Sequence, residues 1–143
     1  MKQAPIRVLV ADDHAMVRQG IRAFLETQAD MQVVGEAADG EAALRECVRN
    51  RPDVLLLDVL MPGGGAVAAE RIHDDCPETR IVVVTSSEDE AHMLPLLRAG
   101  ALSYVLKDLG PDALADVVRK AAIGEAVLHP RVVAKLSASV RRA

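Results

Sequence analysis

The 143-residue chain is poor in aromatic residues and in cysteine. Phe24 and Tyr104 are its only aromatic side chains, so the core must be built from aliphatic residues. Cys47 and Cys76 lie in polar, helix-like segments without the spacing of metal ligands. We therefore expect both to be free thiols, buried or half buried, in a cytoplasmic protein.

Long apolar runs and a leader segment are also missing from the sequence. The longest apolar stretches fall far short of the roughly 18–20 residues that a membrane-spanning helix needs. Residues 1–5 lead directly into a strand-like run and contain no apolar region of the signal-peptide kind. We expect one cytoplasmic domain of ordinary size without a membrane partner.

Charge is distributed unevenly along the chain. The net charge is −4, yet residues 119–143 carry six Lys or Arg and a single Glu. The preceding residues are therefore strongly acidic, and an acidic surface does not attract nucleic acid. The basic segment is typical of a solvated helix face, and nucleic-acid binding by this segment is the alternative.

Apolar runs and amphipathic segments alternate along the chain. Short runs of Val, Ile and Leu without polar alternation predict strands buried on both faces of a parallel sheet. The predicted strands are Ile6–Ala11, Met31–Ala37, Val54–Leu57, Arg80–Thr85 and Leu102–Leu106. The predicted helices are Ala15–Thr27, Gly40–Arg49, Ala66–Asp75, one within Glu88–Ala99, and Pro111–Ile123. This alternation predicts an α/β fold, a doubly wound five-stranded parallel sheet with helices on both faces.

Two segments depart from this simple pattern. Pro95 lies within the fourth predicted helix, where it removes a backbone hydrogen bond and clashes with the preceding turn. We therefore predict that this helix begins near His92 or is kinked, and that it is mobile. After Gly124, a brief extended piece at Ala126–Pro130 precedes a sixth helix at Arg131–Arg142, which looks like a connection to another domain.

Residues suited to phosphoryl chemistry lie at the ends of four predicted strands. Asp12 and Asp13 follow the first strand, Asp58 the third and Lys107 the fifth, and Thr85 ends the fourth. The ligand site of an open parallel sheet lies beyond the carboxyl ends of its strands, so these side chains should converge. Three neighbouring carboxylates repel one another, and Mg²⁺ would offset the repulsion while accepting phosphate oxygens. The set predicts phosphoryl transfer to an aspartate, with an ammonium and a hydroxyl on the phosphoryl oxygens.

Taken singly, each of these residues has an ordinary structural explanation. An aspartate after a strand is usually a turn residue or a helix N-cap, and Asp13 is a candidate cap for the first helix. Lys107 alone is typical of a solvated surface lysine. Because four strand ends rarely carry such a complementary set by chance, the functional prediction depends on the combination.

The ordered combination closely resembles the receiver domain of two-component response regulators. The matching segments are Val10–His14, Asp58–Gly63, Val84–Ser86 and Tyr104–Asp108, and the resemblance covers about residues 6–124. It implies the strand order 2-1-3-4-5, which places the first and third strands side by side. It also implies a receiver domain at residues 1–124 and a linker segment with its helix at residues 125–143.

The resemblance implies a role for each residue of the set. Asp58 would accept a phosphoryl group from the phosphohistidine of a sensor histidine kinase. Asp12 and Asp13 would organise Mg²⁺, with Asp13 the more direct ligand, and Asp58 and the backbone carbonyl of Leu60 would complete the protein ligands. Lys107 would pair with the phosphoryl oxygens. Such a domain catalyses only its own phosphorylation and dephosphorylation, so we do not expect an enzyme in the usual sense.

The resemblance also implies a switch and a phosphoryl lifetime. Thr85 would swing toward the phosphoryl group, and Tyr104 would shift inward with it; a plain core role for Tyr104 is the alternative. The added charge, ~1 unit, is enough to bias a two-state loop. Leu60 and Ser87 occupy positions that tune the lifetime in the family and are neither acidic nor amide residues. We therefore expect a long-lived phosphoaspartate.

Three segments are similar to the NarL/FixJ-type transcriptional regulators, in which a LuxR-type helix-turn-helix domain follows the receiver. These are Asp12–Ile21, Leu106–Asp108 and Gly124–Pro130. We expect either a receiver with its linker helix, separated from a DNA-binding domain, or a stand-alone relay protein. The partners implied are a histidine kinase at the first helix near Val17–Ile21, a second copy on phosphorylation, and DNA only through the absent domain.

Two rival functions account for part of the pattern. A haloacid-dehalogenase-like phosphatase also uses an aspartate nucleophile, Mg²⁺, a hydroxyl and a lysine, but it needs Asp-x-Asp after the first strand and a cap insertion. This chain has Asp-Asp-His and no room for a cap. A phosphorylation-independent interaction module is the other rival, and the intact set of residues argues against it.

Overall fold

The five predicted strands form one parallel sheet. The computed structural model describes residues 4–86 and 90–142. Its strands are β1 (Ile6–Ala11), β2 (Met31–Ala37), β3 (Val54–Leu57), β4 (Arg80–Thr85) and β5 (Ser103–Leu106). They lie in the order β2-β1-β3-β4-β5. The predicted strand order and the doubly wound α/β fold are therefore confirmed.

Helices cover both faces of this sheet. They are α1 (Ala15–Glu26), α2 (Gly40–Asn50), α3 (Gly65–Asp75), α4 (Glu90–Arg98), α5 (Pro111–Ala122) and α6 (Pro130–Arg142). Helices α1 and α5 pack on one face, and α2, α3, α4 and α6 pack on the other. Within residues 4–86 and 90–142, no helix is both long enough and apolar enough to cross a membrane.

The central strand β3 is uniformly apolar because both of its faces are buried. Successive side chains of a strand point to opposite faces. Leu55 and Leu57 enter the core under α2, α3 and α4, and Val54 and Leu56 enter the core under α1 and α5. All four are buried, so a polar side chain anywhere in β3 would enter an apolar core. The polar residues next to β3, Asp53 and Asp58, lie just outside its two ends.

The register of the sheet aligns those ends. Ala11 pairs with Leu57, and the backbone N–H of Asp58 donates to the carbonyl of Ala11 at 3.0 Å. The first residues after β1 and β3 are therefore neighbours. Between β4 and β5, the N–H of Lys107 donates to the carbonyl of Thr85 at 2.8 Å. Backbone pairing alone thus brings the four predicted strand ends to one edge.

Helix α4 differs from its expected bounds. It begins at Glu90, two residues before the predicted start near His92, and Pro95 lies inside it. The carbonyl of Pro95 accepts a hydrogen bond from the N–H of Ala99 at 2.9 Å, so helical bonding continues past the proline. The start near His92 is therefore corrected to Glu90, and the alternative of a kink at Pro95 and the mobility of this helix stay predictions.

Candidate functional site

The carboxyl ends of β1 and β3 bring an acidic cluster together. One potential ligand atom each from Asp12, Asp13, His14 and Asp58 lies within 4.8 Å of the others. Asp12 and Asp58 are each 2% exposed, whereas Asp13 and His14 are exposed to solvent. The site therefore has two buried carboxylates beside a third that faces outward.

Lys107 links the two buried carboxylates. Its Nζ atom lies 2.8 Å from Asp12 Oδ2 and 2.8 Å from Asp58 Oδ2. Burial lowers the pKa of Lys107, but hydrogen bonds to Asp12 and Asp58 outweigh this and leave the pKa above its usual value. Lys107 therefore stays charged at neutral pH and offsets repulsion between the two carboxylates.

Asp58 is held in one orientation from both sides. Its Oδ1 atom accepts a hydrogen bond from the backbone N–H of Leu60 at 3.1 Å. Its Oδ2 atom accepts a hydrogen bond from Lys107. A carboxylate with one partner on each oxygen loses its rotational freedom. The carboxyl group of Asp58 is therefore fixed at the carboxyl end of β3.

The two aspartates after β1 occupy different environments. Asp12 uses Oδ2 for Lys107, and its Oδ1 atom accepts a hydrogen bond from the backbone N–H of His14 at 2.8 Å. The N-cap of α1 is His14, and it makes no side-chain cap bond. The alternative in which Asp13 caps the first helix is therefore wrong. Asp13 instead lies at the open side of the cluster.

His14 is the one cluster member that sequence reasoning did not assign to the site. Its Nδ1 atom lies 3.1 Å from Asp13 Oδ1 and 3.4 Å from Asp12 Oδ1. Its side chain is 67% exposed. Its position next to Asp12 and Asp13 was the only sequence signal, and one exposed histidine after a strand does not by itself indicate a ligand.

Thr85 and Tyr104 are both fully buried but lie at different depths. Thr85 is the last residue of β4, and its carbonyl accepts the backbone N–H of Lys107. Tyr104 lies in β5 and belongs to the core that contains Met93 and Leu96 of α4. Backbone pairing places Thr85 at the site edge, whereas Tyr104 reaches the helix layer beneath it.

The glycine run after Asp58 has a backbone explanation. Gly63 and Gly64 have positive φ angles of 90° and 82°. Gly65 begins α3 so close to Val59 that an added Cβ would lie 2.8 Å from the Val59 Cα atom. Glycine therefore allows the helix to pack directly against the residue that follows Asp58.

An apolar groove lies beside the acidic cluster. It has a volume of about 350 Å³ and runs between α1 and α5, lined among others by Met16, Ile21, Phe24 and Leu114. Met16 is 87% exposed, and with the neighbouring exposed Val17 it gives α1 an apolar surface next to the groove. Lys107 lines the same groove, so the groove and the acidic cluster are continuous.

Comparison with known proteins gives one family match. Residues 8–119 match the family described as the response regulator receiver domain. The chain is also 43% identical over 137 residues to the transcriptional regulatory protein LiaR of Bacillus subtilis. That similarity covers 95% of this chain and 65% of LiaR, a little under two thirds of the relative.

Solved structures agree with this match. The signal receiver domain of the putative response regulator NarL from Mycobacterium tuberculosis is 35% identical, with a TM-score of 0.82. It covers 86% of this chain and 100% of the NarL domain. A structure of two RcsB dimers bound to two parallel DNAs is 28% identical, with a TM-score of 0.82 over 93% of this chain and 68% of that chain.

Proposed function

Because the chain belongs to the response regulator receiver domain family, we propose that Asp58 accepts a phosphoryl group from the phosphohistidine of a sensor histidine kinase. The observation that carries the proposal is the environment of this carboxylate. Asp58 is 2% exposed, fixed by Leu60 and Lys107, and next to two further carboxylates. A nucleophile of this kind needs both a fixed direction and a nearby positive charge.

The reaction forms one bond and breaks another. A carboxylate oxygen of Asp58 bonds to phosphorus as the phosphorus–nitrogen bond of the phosphohistidine breaks. The electron pair of that bond stays on the histidine nitrogen of the donor. Hydrolysis of the resulting acyl phosphate restores Asp58, so the chain acts on itself and has no free substrate to turn over.

Mg²⁺ suits the donors at this site. We assign Asp13 as the most direct ligand, with Asp12, Asp58 and the backbone carbonyl of Leu60 completing the set. Hard oxygen donors on a partly open site are the ligands that Mg²⁺ prefers. Asp13 faces solvent, while both oxygens of Asp12 already have partners, which favours Asp13 for direct contact. When bound, the ion neutralises charge on the phosphoryl oxygens.

Lys107, Thr85 and Tyr104 connect the chemistry to a conformational change. In the unphosphorylated site, Lys107 contacts the carboxylate that would be phosphorylated. After phosphorylation, its ammonium would bind the phosphoryl oxygens on the same residue. The Thr85 hydroxyl would turn toward the same oxygens. Tyr104 is already fully buried, so it would repack within the core as Thr85 turns and would not make the expected inward shift. The proposal is supported by the backbone hydrogen bond from Lys107 to Thr85, which places these two residues side by side at the site.

The groove between α1 and α5 is the proposed docking surface for the kinase. Its occupant would be the helix that carries the phosphohistidine, which needs an apolar surface next to Asp58. Met16 and Val17 of α1 offer exposed apolar surface, and Lys107 joins the groove to the acidic cluster. A helix lying here would bring its histidine toward the carboxylate.

The output belongs to a larger protein in this proposal. Residues 1–124 would be the receiver and residues 125–143 a linker toward a DNA-binding domain that regulates transcription. Phosphorylation would favour a homodimer, and DNA would be contacted only through that further domain. Support comes from LiaR, which is longer than this chain, and from the RcsB dimers on DNA. The expected compartment is the cytoplasm.

Incubation with acetyl phosphate and Mg²⁺, followed by intact mass measurement, tests the proposal. We expect one added phosphoryl group on the native chain and none on Asp58→Asn. Omission of Mg²⁺ should slow the addition strongly. Failure of the native chain to gain a phosphoryl group would contradict the proposal, and continuous release of phosphate from small esters would instead favour a phosphatase.

A further inference from the structure

Arg18 of α1 bridges the backbone of the acidic cluster to the end of β2. Its Nη1 atom donates to the main-chain oxygen of Asp12 at 2.7 Å, and its Nε atom donates to Glu36 Oε1 at 2.9 Å. The side chain is only 17% exposed. Glu36 is itself held from the other side by Arg22 Nη1 at 2.6 Å. The guanidinium of Arg18 is thus fixed between two partners.

The bond to Asp12 controls the peptide unit that carries Asp13. A peptide group is planar, so fixing the carbonyl oxygen of Asp12 also fixes the N–H and Cα of the next residue. The other side of this turn is already tied, since the N–H of Asp12 donates to Ala37 at 3.0 Å. Arg18 therefore fixes the peptide plane from which the exposed Asp13 extends.

The charge of Arg18 is compensated away from the cluster. An isolated guanidinium near the carboxylates would weaken the binding of any cation there. Glu36 balances that charge through an ion pair, so Arg18 contributes geometry to the site with little net charge. Orientation of ligands by such hydrogen bonds behind them is known to raise metal affinity.

We infer that Arg18 is a positioning residue for the cation site, acting through the main-chain oxygen of Asp12 on the carboxylate of Asp13. This inference rests on the proposed function, because it assumes that the acidic cluster holds Mg²⁺. Arg22 provides a matched comparison. It also binds Glu36 from α1, one turn further along the helix, and Glu26 and Glu36 are its side-chain partners.

Calorimetric titration with Mg²⁺ alone separates the two arginines. Arg18→Gln should raise the Kd for Mg²⁺ by about 10-fold or more, the usual cost of losing an orienting partner. Arg22→Gln should leave the Kd within about 2-fold of the native value, and Arg18→Lys should restore part of the loss. Equal Kd values for native and Arg18→Gln, or equal losses in both glutamine variants, would overturn the inference.

Phosphorylation by acetyl phosphate supplies a second readout. In Arg18→Gln the Mg²⁺ concentration for half-maximal rate should rise, while the rate at saturating Mg²⁺ stays close to native. A lower saturating rate with an unchanged half-maximal concentration contradicts a role in positioning. A native chain that binds Mg²⁺ but gains no phosphoryl group leaves Arg18 supported and the proposed function refuted. A native chain that binds no Mg²⁺ refutes both.

A second inference comes from the segment that follows α5, which extends the sheet at its β5 edge. The N–H of Tyr104 donates to the carbonyl of Val127 at 3.1 Å, and the N–H of His129 donates to the carbonyl of Tyr104 at 3.1 Å. The N–H of Val127 also donates to the buried Oγ atom of Ser103 at 2.8 Å. Both backbone groups of Tyr104 are therefore bound by this segment.

Helix α6, which follows this segment, packs on the core that contains Tyr104. Val132 is fully buried in the cluster that contains Tyr104, and Leu136 packs against that cluster. Arg131 Nη2 lies 2.9 Å from Asp108 Oδ2, next to Lys107 in the sequence. The segment thus contacts both the strand that carries the proposed switch tyrosine and the residue that follows the site lysine.

We propose that residues 126–136 form a displaceable cover whose hold on β5 depends on phosphorylation of Asp58. On its outer side the backbone of Tyr104 is bound by this segment, so a movement of β5 that accompanies repacking of the buried Tyr104 side chain strains the two hydrogen bonds to Val127 and His129. Release of the cover would expose the β5 edge and the adjoining surface of α4. The proposal rests on Tyr104 acting as the switch residue.

Hydrogen exchange at individual amides tests the cover. After addition of acetyl phosphate and Mg²⁺, the Tyr104 and His129 amides should exchange at least several-fold faster, while the central Leu56 amide stays unchanged. Asp58→Asn should show no change on the same treatment. Val132→Ala should accelerate exchange at His129 without phosphodonor, because it removes the buried anchor of α6.

Each result of this experiment decides the proposal. Unchanged protection of Tyr104 and His129, in a chain shown by mass to carry the phosphoryl group, would overturn the cover while leaving the proposed function intact. Native protection of His129 in Val132→Ala would show that α6 does not hold the segment in place. If no phosphoryl group is added, the proposed function and this coupling fail together.

Discussion

The ammonium of Lys107 bridges the proposed acceptor Asp58 to Asp12, with Nζ 2.8 Å from an oxygen of each carboxylate. Both carboxylates are almost fully buried, and Lys107 is the cation that contacts them in the described part of the chain. A buried carboxylate is stable only when it is paired or hydrogen-bonded. One lysine therefore maintains the unphosphorylated site and is positioned for the phosphorylated one.

Removal of this lysine should cost stability that Mg²⁺ partly restores. In Lys107→Met, two buried carboxylates lose their common cation, and we expect the free energy of unfolding to fall by about 2–3 kcal/mol. Because a divalent cation can replace the missing charge, Mg²⁺ should stabilise the variant more than the native chain. Urea unfolding with and without Mg²⁺ measures both effects. An equal Mg²⁺ effect on the two proteins would contradict the bridging role.

Glu36 should support the fold at neutral pH but not in acid. A hydrogen bond from Arg22 lowers the pKa of Glu36, and Arg18 adds to this although burial opposes it. Such a carboxylate stabilises the fold above its unfolded pKa of about 4.3, and the contribution disappears as pH falls through the lower folded value. Glu36→Gln should therefore lose about 1 kcal/mol at neutral pH, with a smaller difference in acid.

Urea unfolding of Glu36→Gln at neutral pH and at about pH 3 measures this dependence. Glu26→Gln is the matched control, because Glu26 also bonds to Arg22 but is 51% exposed. Glu26→Gln should change the free energy of unfolding by less than about 0.5 kcal/mol at both pH values. A constant loss across the pH range in Glu36→Gln would show that the ion pair is not responsible.

Substitution of two glycines should have opposite effects. Gly65→Ala places a Cβ against the backbone of Val59 and should destabilise the fold by about 1–3 kcal/mol. It should also slow phosphorylation, because displacement of Val59 moves the neighbouring Asp58. Gly20→Ala meets no atom within 4 Å in α1 and should stabilise by about 0.5–1 kcal/mol. Thermal unfolding and phosphorylation by acetyl phosphate measure the pair. A neutral Gly65→Ala would refute the close approach.

The phosphoryl group on Asp58 should be long-lived. Leu60 is 46% exposed and carries no group to orient a water molecule for attack on the acyl phosphate. Ser87, the other position implied by the resemblance, lies outside the described residues. Leu60→Asn should shorten the lifetime, and Leu60→Ala should leave it close to native. The decay of the phosphorylated mass measures it, and a native half-life of seconds at neutral pH would contradict the expectation.

Strand-end residues could be predicted from the sequence, but their partners could not. The apolar runs located β1 to β5, because strands covered by helices on both faces are made mostly of apolar side chains. The edge that gathers Asp12, Asp58 and Lys107 followed from parallel pairing, and the strand order from the family resemblance. The Lys107 bridge, the Arg18 bond to a main-chain oxygen and the pairing of Tyr104 with residues 127–129 depend on side-chain rotamers and loop paths, which leave no pattern in the sequence.

The most direct measurement locates the phosphoryl group. The chain is treated with acetyl phosphate and Mg²⁺, and borohydride then reduces any aspartyl phosphate to homoserine, which marks the modified residue in a peptide mass map. We predict that the mark falls on Asp58 and not on Asp12 or Asp13, and that Asp58→Asn carries none. A mark on either of the other aspartates, or no mark on a native chain that binds Mg²⁺, would contradict the account.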